Sequence, residues 1–197
     1  KSTNLHHGVV ISDNFMELIE KATTQEGFDD SWDLIDPNSK KVIKTVSAKT
    51  LWVKLIQNRV ETGEPYIIYI DTVNRQIPQH HKLAGLKVKT SNLCSEITLP
   101  TGRDNDGNQR TAVCCLSSLN LDTYDQWKDD PQFVEDVMRF LDNVMTDFIN
   151  RAPDEFAHAK YSAMRERSVG LGVMGLHSYF QQKYMLIVSV MRKVWNK

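Results

Sequence analysis

The chain has 197 residues, a length that suits one domain, or part of a larger one, with a buried hydrophobic core. Its formal net charge of −1 and its scattered basic residues exclude the basic surface that nucleic-acid binding requires. With 41% hydrophobic and 25% charged residues the composition is typical of globular proteins, and the sequence contains neither an apolar run that could span a membrane nor a secretory signal pattern.

Residues 8–47 predict an apolar segment, a helix and a β-hairpin. The run "GVVI" comes first, and Ser12 or Asp13 then suits the N-cap of a short helix. The helix would carry four apolar side chains, those of Phe15, Met16, Leu18 and Ile19. Two short strands around a turn at residues 36–39, "DPNS", predict the hairpin.

Residues 47–74 predict a second helix and a buried strand. Ser47 or Lys49 opens the helix and Gly63 ends it. Its apolar side chains fall on one stripe, formed by Leu51, Trp52, Leu55, Ile56 and Val60. The stretch "PYIIYIDTVN" at residues 65–74 is almost wholly apolar, which is typical of a buried strand. A polar loop rich in histidine and lysine follows.

The stretch "SNLCSEITLP" at residues 91–100 predicts another strand, which ends near Pro100. In an extended chain successive side chains point to opposite faces, so Asn92, Cys94 and Glu96 would share one face. An amide, a thiol and a carboxylate on one face of an otherwise apolar strand indicate either a surface exposed to water or a site where chemistry takes place.

The next strand is predicted at residues 110–121, after the turn sequence "GRDNDGNQ". If the two strands pair antiparallel, Cys94 lies opposite the Cys114–Cys115 region, where opposed Cβ atoms are about 4.5–5.5 Å apart. A register slip of one residue would turn the side chains of Asn92, Cys94 and Glu96 to the opposite face of the sheet. Two interpretations stay open, namely small buried hydrophobes and a thiol cluster. The odd number of cysteines does not fit a secreted disulfide framework and favours a reducing, cytoplasmic compartment.

The last third of the chain is predicted to be helical. Asp129 or Asp130 can cap the first helix, and Pro131 suits its first turn. Apolar residues then repeat at helical spacing, at Val134, Val137, Leu141, Val144, Met145 and Phe148. A second helix is expected over residues 155–167, and a third follows the glycines to about Lys183.

Three further motifs indicate loops or packing rather than ligand sites. The histidine pairs at residues 6–7 and 80–81 fit no metal-binding spacing, so we expect solvated loops and no metal. "DNDG" at residues 104–107 lacks the remaining ligands of a calcium loop and predicts a turn. "GLGVMG" at residues 170–175 follows a charged, helix-like segment, and no acidic residue comes after it. It therefore predicts close packing of a helix start, not dinucleotide binding.

The stretches "SNLCSEITLPTG", "AVCCLSSLNL" and "RERSVGLGVMG" resemble the large, catalytic subunit of class I ribonucleotide reductase. The flanking "STNLHHGVVISDNFM" and "RVETGEPYIIYIDTVN" fit the same family, so the resemblance covers residues 1 to about 183. It implies an α/β fold, a ten-stranded barrel with a loop that carries the catalytic cysteine into its centre. We expect residues 1–197 to form a single incomplete domain of this barrel, helix-rich in its C-terminal half. Residues 184–197 fit the family poorly until the closing "KVWNK".

The resemblance also implies roles for individual residues. Cys94 matches the cysteine that becomes a thiyl radical and takes the hydrogen from C3′ of the ribose. Glu96 matches the carboxylate that removes the 3′-hydroxyl proton. Asn92 matches the amide that hydrogen-bonds the substrate, and Ser91 joins Asn92 and Glu96 in substrate binding. Such a radical must be shielded from water, which favours a barrel interior, and burial would raise the pKa of the carboxylate.

Cys114 matches one member of the redox pair that supplies electrons when the 2′-hydroxyl leaves as water, whereas Cys115 matches no family role. The partner of Cys114, the sites for ATP and deoxynucleotide effectors and the C-terminal cysteine pair are expected in parts of a longer protein. The resemblance further implies a ribonucleoside diphosphate substrate, a radical from a di-metal small subunit, thioredoxin or glutaredoxin as reductant, and a homodimer when full length. No cofactor is expected on this segment, which should be inactive alone.

Two alternatives accompany this hypothesis. An adenosylcobalamin-dependent, class II reductase shares the barrel and the thiyl step but makes its radical without a partner subunit. A non-catalytic thiol-containing binding module would instead tolerate replacement of all three cysteines with only packing losses of a few kcal/mol.

Overall fold

The computed structural model describes residues 5–183, which divide into two compact units, one up to Asn108 and one from Gln109 onward. The single domain expected over residues 1–197 stays a prediction, and residues 184–197 lie outside the described part. Within residues 5–183 every sheet has two strands, and these strands form no closed barrel. None of the helices in this range is both long and apolar enough to cross a bilayer.

The first unit alternates strands and helices. Its elements are β1 (Gly8–Ile11), α1 (Asp13–Thr24), β2 (Ser31–Ile35), β3 (Val42–Ser47), α2 (Ala48–Thr62), β4 (Tyr66–Tyr69), α3 (Ile70–Gln76), α4 (Gln79–Leu83) and β5 (Gly102–Arg103). Strands β1 and β4 pair in parallel, whereas β2 and β3 form an antiparallel hairpin. The strand predicted at residues 65–74 is therefore confirmed only in its first half, because α3 begins at Ile70.

Local hydrogen bonds explain where these elements begin and end. Ser12 Oγ accepts from Phe15 N at 3.3 Å and Ser47 Oγ from Thr50 N at 3.0 Å, so both serines act as N-caps as predicted. Gly63 ends α2 in the left-handed conformation with φ of +80°. The hairpin turn is confirmed, since Asp36 Oδ1 accepts from the backbone of the two residues at 38 and 39.

The core of the first unit lies where α1 and the start of α2 cover the parallel strands. Its buried members are Ile11, Phe15, Ile19 and Ala48. The rings of Phe15 and Trp32 meet edge to face, with centroids 5.0 Å apart. Leu51, Trp52 and Leu55 pack against this core, but Val60, predicted on the same stripe, is 82% exposed.

The second unit is helix-rich, as predicted. Its elements are β6 (Gln109–Arg110), β7 (Cys115–Asn120), α5 (Tyr124–Trp127), α6 (Phe133–Arg151), α7 (Ala157–Glu166), β8 (Val169–Met174) and α8 (Leu176–Gln182), with 3-10 turns at Leu121–Thr123 and Asp154–Phe156. Helix α6 begins later than predicted, because Asp130 Oδ1 accepts from Gln132 N and holds the chain in a turn. Leu141 and Met145 of α6 and Ala159 and Ala163 of α7 are buried, and the two helices contact each other.

The glycines at 170 and 172 lie in a strand rather than at a helix start, which corrects the prediction. Strand β8 pairs in parallel with β7, from Cys115 opposite Val169 to Asn120 opposite Met174. A Cβ on Gly170 would meet Leu116 Cδ2 at 2.6 Å, so the predicted close packing is present but involves β7. Gly175 does precede a helix, since it is the N-cap of α8 with φ of +71°.

We expect Gly175→Ala to lower the free energy of unfolding by about 1–3 kcal/mol, because an L-residue is strained at this φ. The new Cβ would also meet Asn120 Oδ1 at 2.9 Å. Gly172→Ala is the matched control, since its Cβ would come no closer than 3.4 Å to Ser118 Oγ. Urea unfolding of both variants tests this expectation, and equal stabilities would contradict it.

Two lysines share the carboxylate of Asp125. Lys183 Nζ donates to Oδ2 at 2.6 Å and Lys128 Nζ to Oδ1 at 2.9 Å. These hydrogen bonds, that of Lys183 first, lower the pKa of Asp125 from 3.8 to about 2. Because the folded pKa lies below the unfolded value, the carboxylate stabilises the folded state above about pH 4, and this contribution is lost as the pH falls towards 2.

We predict that Lys183→Ala raises the pKa of Asp125 more than Lys128→Ala does, because the hydrogen bond from Lys183 is the larger cause of its depression. A carboxyl ¹³C NMR titration between pH 1.5 and 6 measures this directly. An Asp125 midpoint that stays near 2 in the Lys183 variant would contradict the assignment.

Candidate active site

The predicted strand at residues 91–100 is a loop in the structure. Ser95 N donates to Asn92 O at 3.1 Å, and Ser95 has a left-handed φ of +65°. Asn92 Oδ1 accepts from Ile97 N at 3.1 Å. The alternation of side chains is therefore broken, because a polar side chain satisfies the backbone locally in place of a neighbouring strand. Cys94 lies in the turn of this loop.

The predicted hairpin between this stretch and residues 110–121 is therefore wrong. Residues 91–100 contain no strand, and β7 pairs instead with β8. The loop that the family resemblance implied describes residues 89–101 better than the alternation of polar and apolar residues did. We call residues 89–101 the thiol loop.

Hydrogen bonds fix both the inside and the start of the thiol loop. Ser91 Oγ donates to Ile97 O at 2.5 Å, which ties its two arms together. Just before the loop, Val88 is 1% exposed and makes two hydrogen bonds with the Asn74 side chain of α3. Near its end, Pro100 is among the most deeply buried side chains. The loop is thus held at both ends and crosslinked in the middle.

The polar side chains of the thiol loop are exposed in the described part of the chain. Asn92, Cys94 and Glu96 are all exposed, and Leu93 beside the thiol is 66% exposed. Residues 5–183 therefore do not supply the dry surroundings that a thiyl radical needs. Cys94 is also a free thiol, since it makes no disulfide.

Cys114 belongs to the second unit and stands directly before β7. It is exposed, whereas Cys115 is half-buried as the first residue of the strand. Adjacent side chains of an extended chain point to opposite sides, which accounts for the difference. Cys94 and Cys114 lie in different units, so their predicted closeness stays a prediction.

A buried ion pair anchors the segment that leads to Cys114. Arg110 Nη1 lies 3.2 Å from Glu166 Oε1, with side chains 5% and 4% exposed. The guanidinium also lies over the ring of Tyr161, 5.2 Å from its centroid. One residue further on, Thr111 N donates to the buried Ser162 Oγ at 2.9 Å. The start of this segment is thereby fixed to α7.

The other sequence motifs have structural roles. Asp104 Oδ1 accepts from Asp106 N and Asn108 N, which confirms the turn predicted at "DNDG". His81 is only 5% exposed and lies in α4, so the expectation of a solvated loop is wrong there. His6 Nδ1 contacts the Glu64 carboxylate. Residues 5–183 contain no group of three or more metal-ligating side chains.

The amino-acid sequence matches the family model of the ribonucleotide reductase barrel domain over residues 1–189. The chain belongs to the ribonucleotide reductase barrel family. It is 50% identical over 166 residues to the ribonucleoside-diphosphate reductase large subunit of Invertebrate iridescent virus 3, covering 84% of this chain and 26% of that relative. A relative from Frog virus 3 (isolate Goorha) is 47% identical over 185 residues, covering 92% of this chain and 30% of the relative.

A solved structure agrees with this assignment. The Actinobacillus ureae class Id ribonucleotide reductase alpha subunit superposes with a TM-score of 0.69 at 35% identity. The match covers 91% of this chain and 30% of that one. The predicted fold class, an incomplete part of the reductase α/β barrel, is confirmed. The chain spans about a quarter to a third of the length of these relatives.

Sequence reasoning missed the residues that hold the thiol loop and the segment before Cys114 in place. Asn74, Arg110 and Glu166 carry no motif, and only Asn74 offers a weak signal, since an amide within a helix is unfavourable unless its side chain has a partner. The contacts of these residues join positions 14 and 56 apart in the chain. Neither spacing follows a helical or strand period.

We predict that Arg110→Ala lowers the free energy of unfolding by about 3–5 kcal/mol, because it leaves the Glu166 carboxylate buried without this cation. Replacing both partners, as Arg110→Met with Glu166→Leu, should recover most of that loss. Denaturant unfolding of both single variants and the double variant measures the coupling. A double variant no more stable than Arg110→Ala would contradict the expectation.

Proposed function

We propose that this chain forms the central catalytic part of a ribonucleoside-diphosphate reductase large subunit, which reduces ribonucleotides to deoxyribonucleotides for DNA synthesis. The observation that carries the proposal is the thiol loop. In a chain of the reductase barrel family, a hydrogen-bonded turn presents the thiol of Cys94 with an amide and a carboxylate two residues to either side.

The proposed chemistry begins at Cys94. As a thiyl radical, its sulfur takes the hydrogen atom from C3′ of the ribose, so that an S–H bond forms and a C3′–H bond breaks. The Glu96 carboxylate accepts the 3′-hydroxyl proton, which assists departure of the 2′-hydroxyl as water. At the end of the cycle Cys94 returns a hydrogen atom to C3′, which restores the thiyl radical.

The two electrons for the reduction come from a pair of thiols. Cys114 and a second cysteine, supplied by another part of a longer protein, deliver two electrons and two protons and close to a disulfide. One ribonucleoside diphosphate and two thiols thereby give one deoxyribonucleoside diphosphate, one disulfide and one water. Thioredoxin or glutaredoxin reopens the disulfide by thiol exchange.

Asn92 and Ser91 orient the substrate in this proposal. Asn92 Oδ1 already accepts from the loop backbone, so its Nδ2 group is the donor that we assign to the ribose. Ser91 Oγ donates to Ile97 O, which leaves its oxygen to act as the acceptor towards substrate. Both side chains therefore shape the loop and contact the nucleotide at the same time.

The remaining assignments concern the whole reductase. A small subunit with a di-metal centre supplies the radical, ATP and deoxynucleotides regulate the enzyme from other segments, and two large subunits pair. The shielding of Cys94 comes from strands that complete the barrel, since the described residues leave the thiol loop exposed. We assign the protein to the cytoplasm, where its cysteines remain reduced.

We predict that Cys94→Ser in the full-length protein abolishes turnover, because a hydroxyl hydrogen is too strongly bound to be exchanged with C3′. Nucleotide binding should change little. Cys115→Ser is the matched control, since the thiol of Cys115, next to Cys114 in the chain, has no assigned role, and this variant should retain turnover. Deoxyribonucleotide formation in the presence of the small subunit and a dithiol is the measurement. Turnover by Cys94→Ser would reject the assignment.

The same assay separates the alternatives. Activity that requires adenosylcobalamin and no small subunit would identify a class II reductase. A protein that makes no deoxyribonucleotide under either condition, and that loses only a few kcal/mol of packing when all three cysteines are replaced by alanine, would be a binding module instead.

A further inference from the structure

The Asn74 side chain joins α3 to the start of the thiol loop. Its Oδ1 accepts from Val88 N at 2.9 Å, and its Nδ2 donates to Val88 O at 2.9 Å. A single amide thus pairs with both backbone groups of one residue, as a neighbouring strand would. Val88 stands directly before the thiol loop, which has no strand partner of its own.

The surroundings make this link rigid. Val88 is 1% exposed and Asn74 is partly buried, so water is poorly placed to replace either hydrogen bond. Asn74 Nδ2 also donates to Ile70 O at 3.0 Å, one turn earlier in α3. That third contact fixes the side-chain conformation in which the amide faces Val88.

A displacement at Val88 would reach the catalytic thiol. Val88 precedes Cys94 by six positions, and two hydrogen bonds that enclose Cys94, from Ser91 to Ile97 and from Ile97 to Asn92, crosslink the loop. A crosslinked loop moves as a body instead of absorbing a shift by local bending. The two ends of the loop also lie close together, since a Cβ added to Gly102, just after the loop, would meet Nζ of Lys89, its first residue, at 2.9 Å.

We propose that Asn74 is a positioning residue for the reductase reaction, which holds the thiol loop so that the Cys94 sulfur meets C3′ of the ribose. The inference rests on the proposed function. Asn74 acts through Val88 and the loop, and it makes no contact with substrate. Hydrogen transfer depends steeply on the distance between donor and acceptor, so an error of about 1 Å in position costs on the order of 100-fold in rate.

The test uses the full-length large subunit together with its small subunit. Asn74→Ala should lower kcat about 10- to 100-fold per folded enzyme, with KM for the ribonucleoside diphosphate within about 2-fold of the parent value. The kinetic isotope effect with 3′-deuterated substrate should rise, because hydrogen abstraction becomes slower than the steps that precede it. A loss of stability alone would change neither kcat per folded enzyme nor the kinetic isotope effect.

Asp30→Ala is the matched control within the same unit. Asp30 Oδ2 also accepts two hydrogen bonds, from Ser47 Oγ at 2.7 Å and Lys49 N at 2.8 Å, but they hold the start of α2 and not the loop. This variant should lose stability while its kcat and isotope effect stay at the parent values. Asn74→Asp keeps an oxygen to accept from Val88 N and loses the donor, so it should give intermediate values and decides the question if Asn74→Ala does not fold.

The outcomes separate this inference from the function on which it rests. If the parent enzyme makes deoxyribonucleotides and both Asn74 variants keep its kcat and isotope effect, the positioning role is overturned and the proposed function stands. If the parent enzyme itself makes no product with the small subunit and a dithiol, the proposed function fails.

Discussion

The thiol loop depends on one constraint, which is that a backbone without a strand partner must satisfy its polar groups in another way. Asn92 and Ser91 meet that requirement inside the loop, and Asn74 meets it at the start by pairing with Val88. The turn at Ser95, which a regular strand would not allow, is closed by the hydrogen bond from Ser95 N to Asn92 O. In this loop the side chains of Asn92 and Ser91 therefore determine the backbone shape.

In the segment that leads to Cys114, a buried side chain from a neighbouring helix satisfies the backbone. The backbone ahead of Cys114 is fixed to α7 through Thr111 and Ser162, beside the Arg110–Glu166 ion pair. A buried pair of this kind adds little net stability compared with apolar residues, but leaving either charge buried without its partner is costly. Cys94 thus lies in a loop that is crosslinked by its own side chains, and Cys114 follows a segment that is fixed to a packed helix.

Local chemistry was predictable from the sequence, whereas pairing between distant segments was not. The caps at Ser12 and Ser47 and the turn at Asp36 depend on contacts within three residues, and the structure has them where the sequence predicts them. The strand expected at residues 91–100 failed because alternation of polar and apolar residues also describes a loop with internal side-chain bonds. The partner of β7 was missed because it lies more than fifty residues further along the chain. The roles proposed for Cys94 and Glu96 rest on the family resemblance and not on spacing.

The exposed side chain of Leu93, at the tip beside Cys94, has a consequence for how a longer protein would assemble. The conformation of this turn is set by hydrogen bonds within the loop and does not depend on neighbouring strands. Burial of the exposed leucine by other segments would lower the free energy of the folded protein. The barrel can therefore close around a finished tip, with burial of this leucine favouring closure. The Cys94 thiol would then be enclosed only after its immediate geometry has been set.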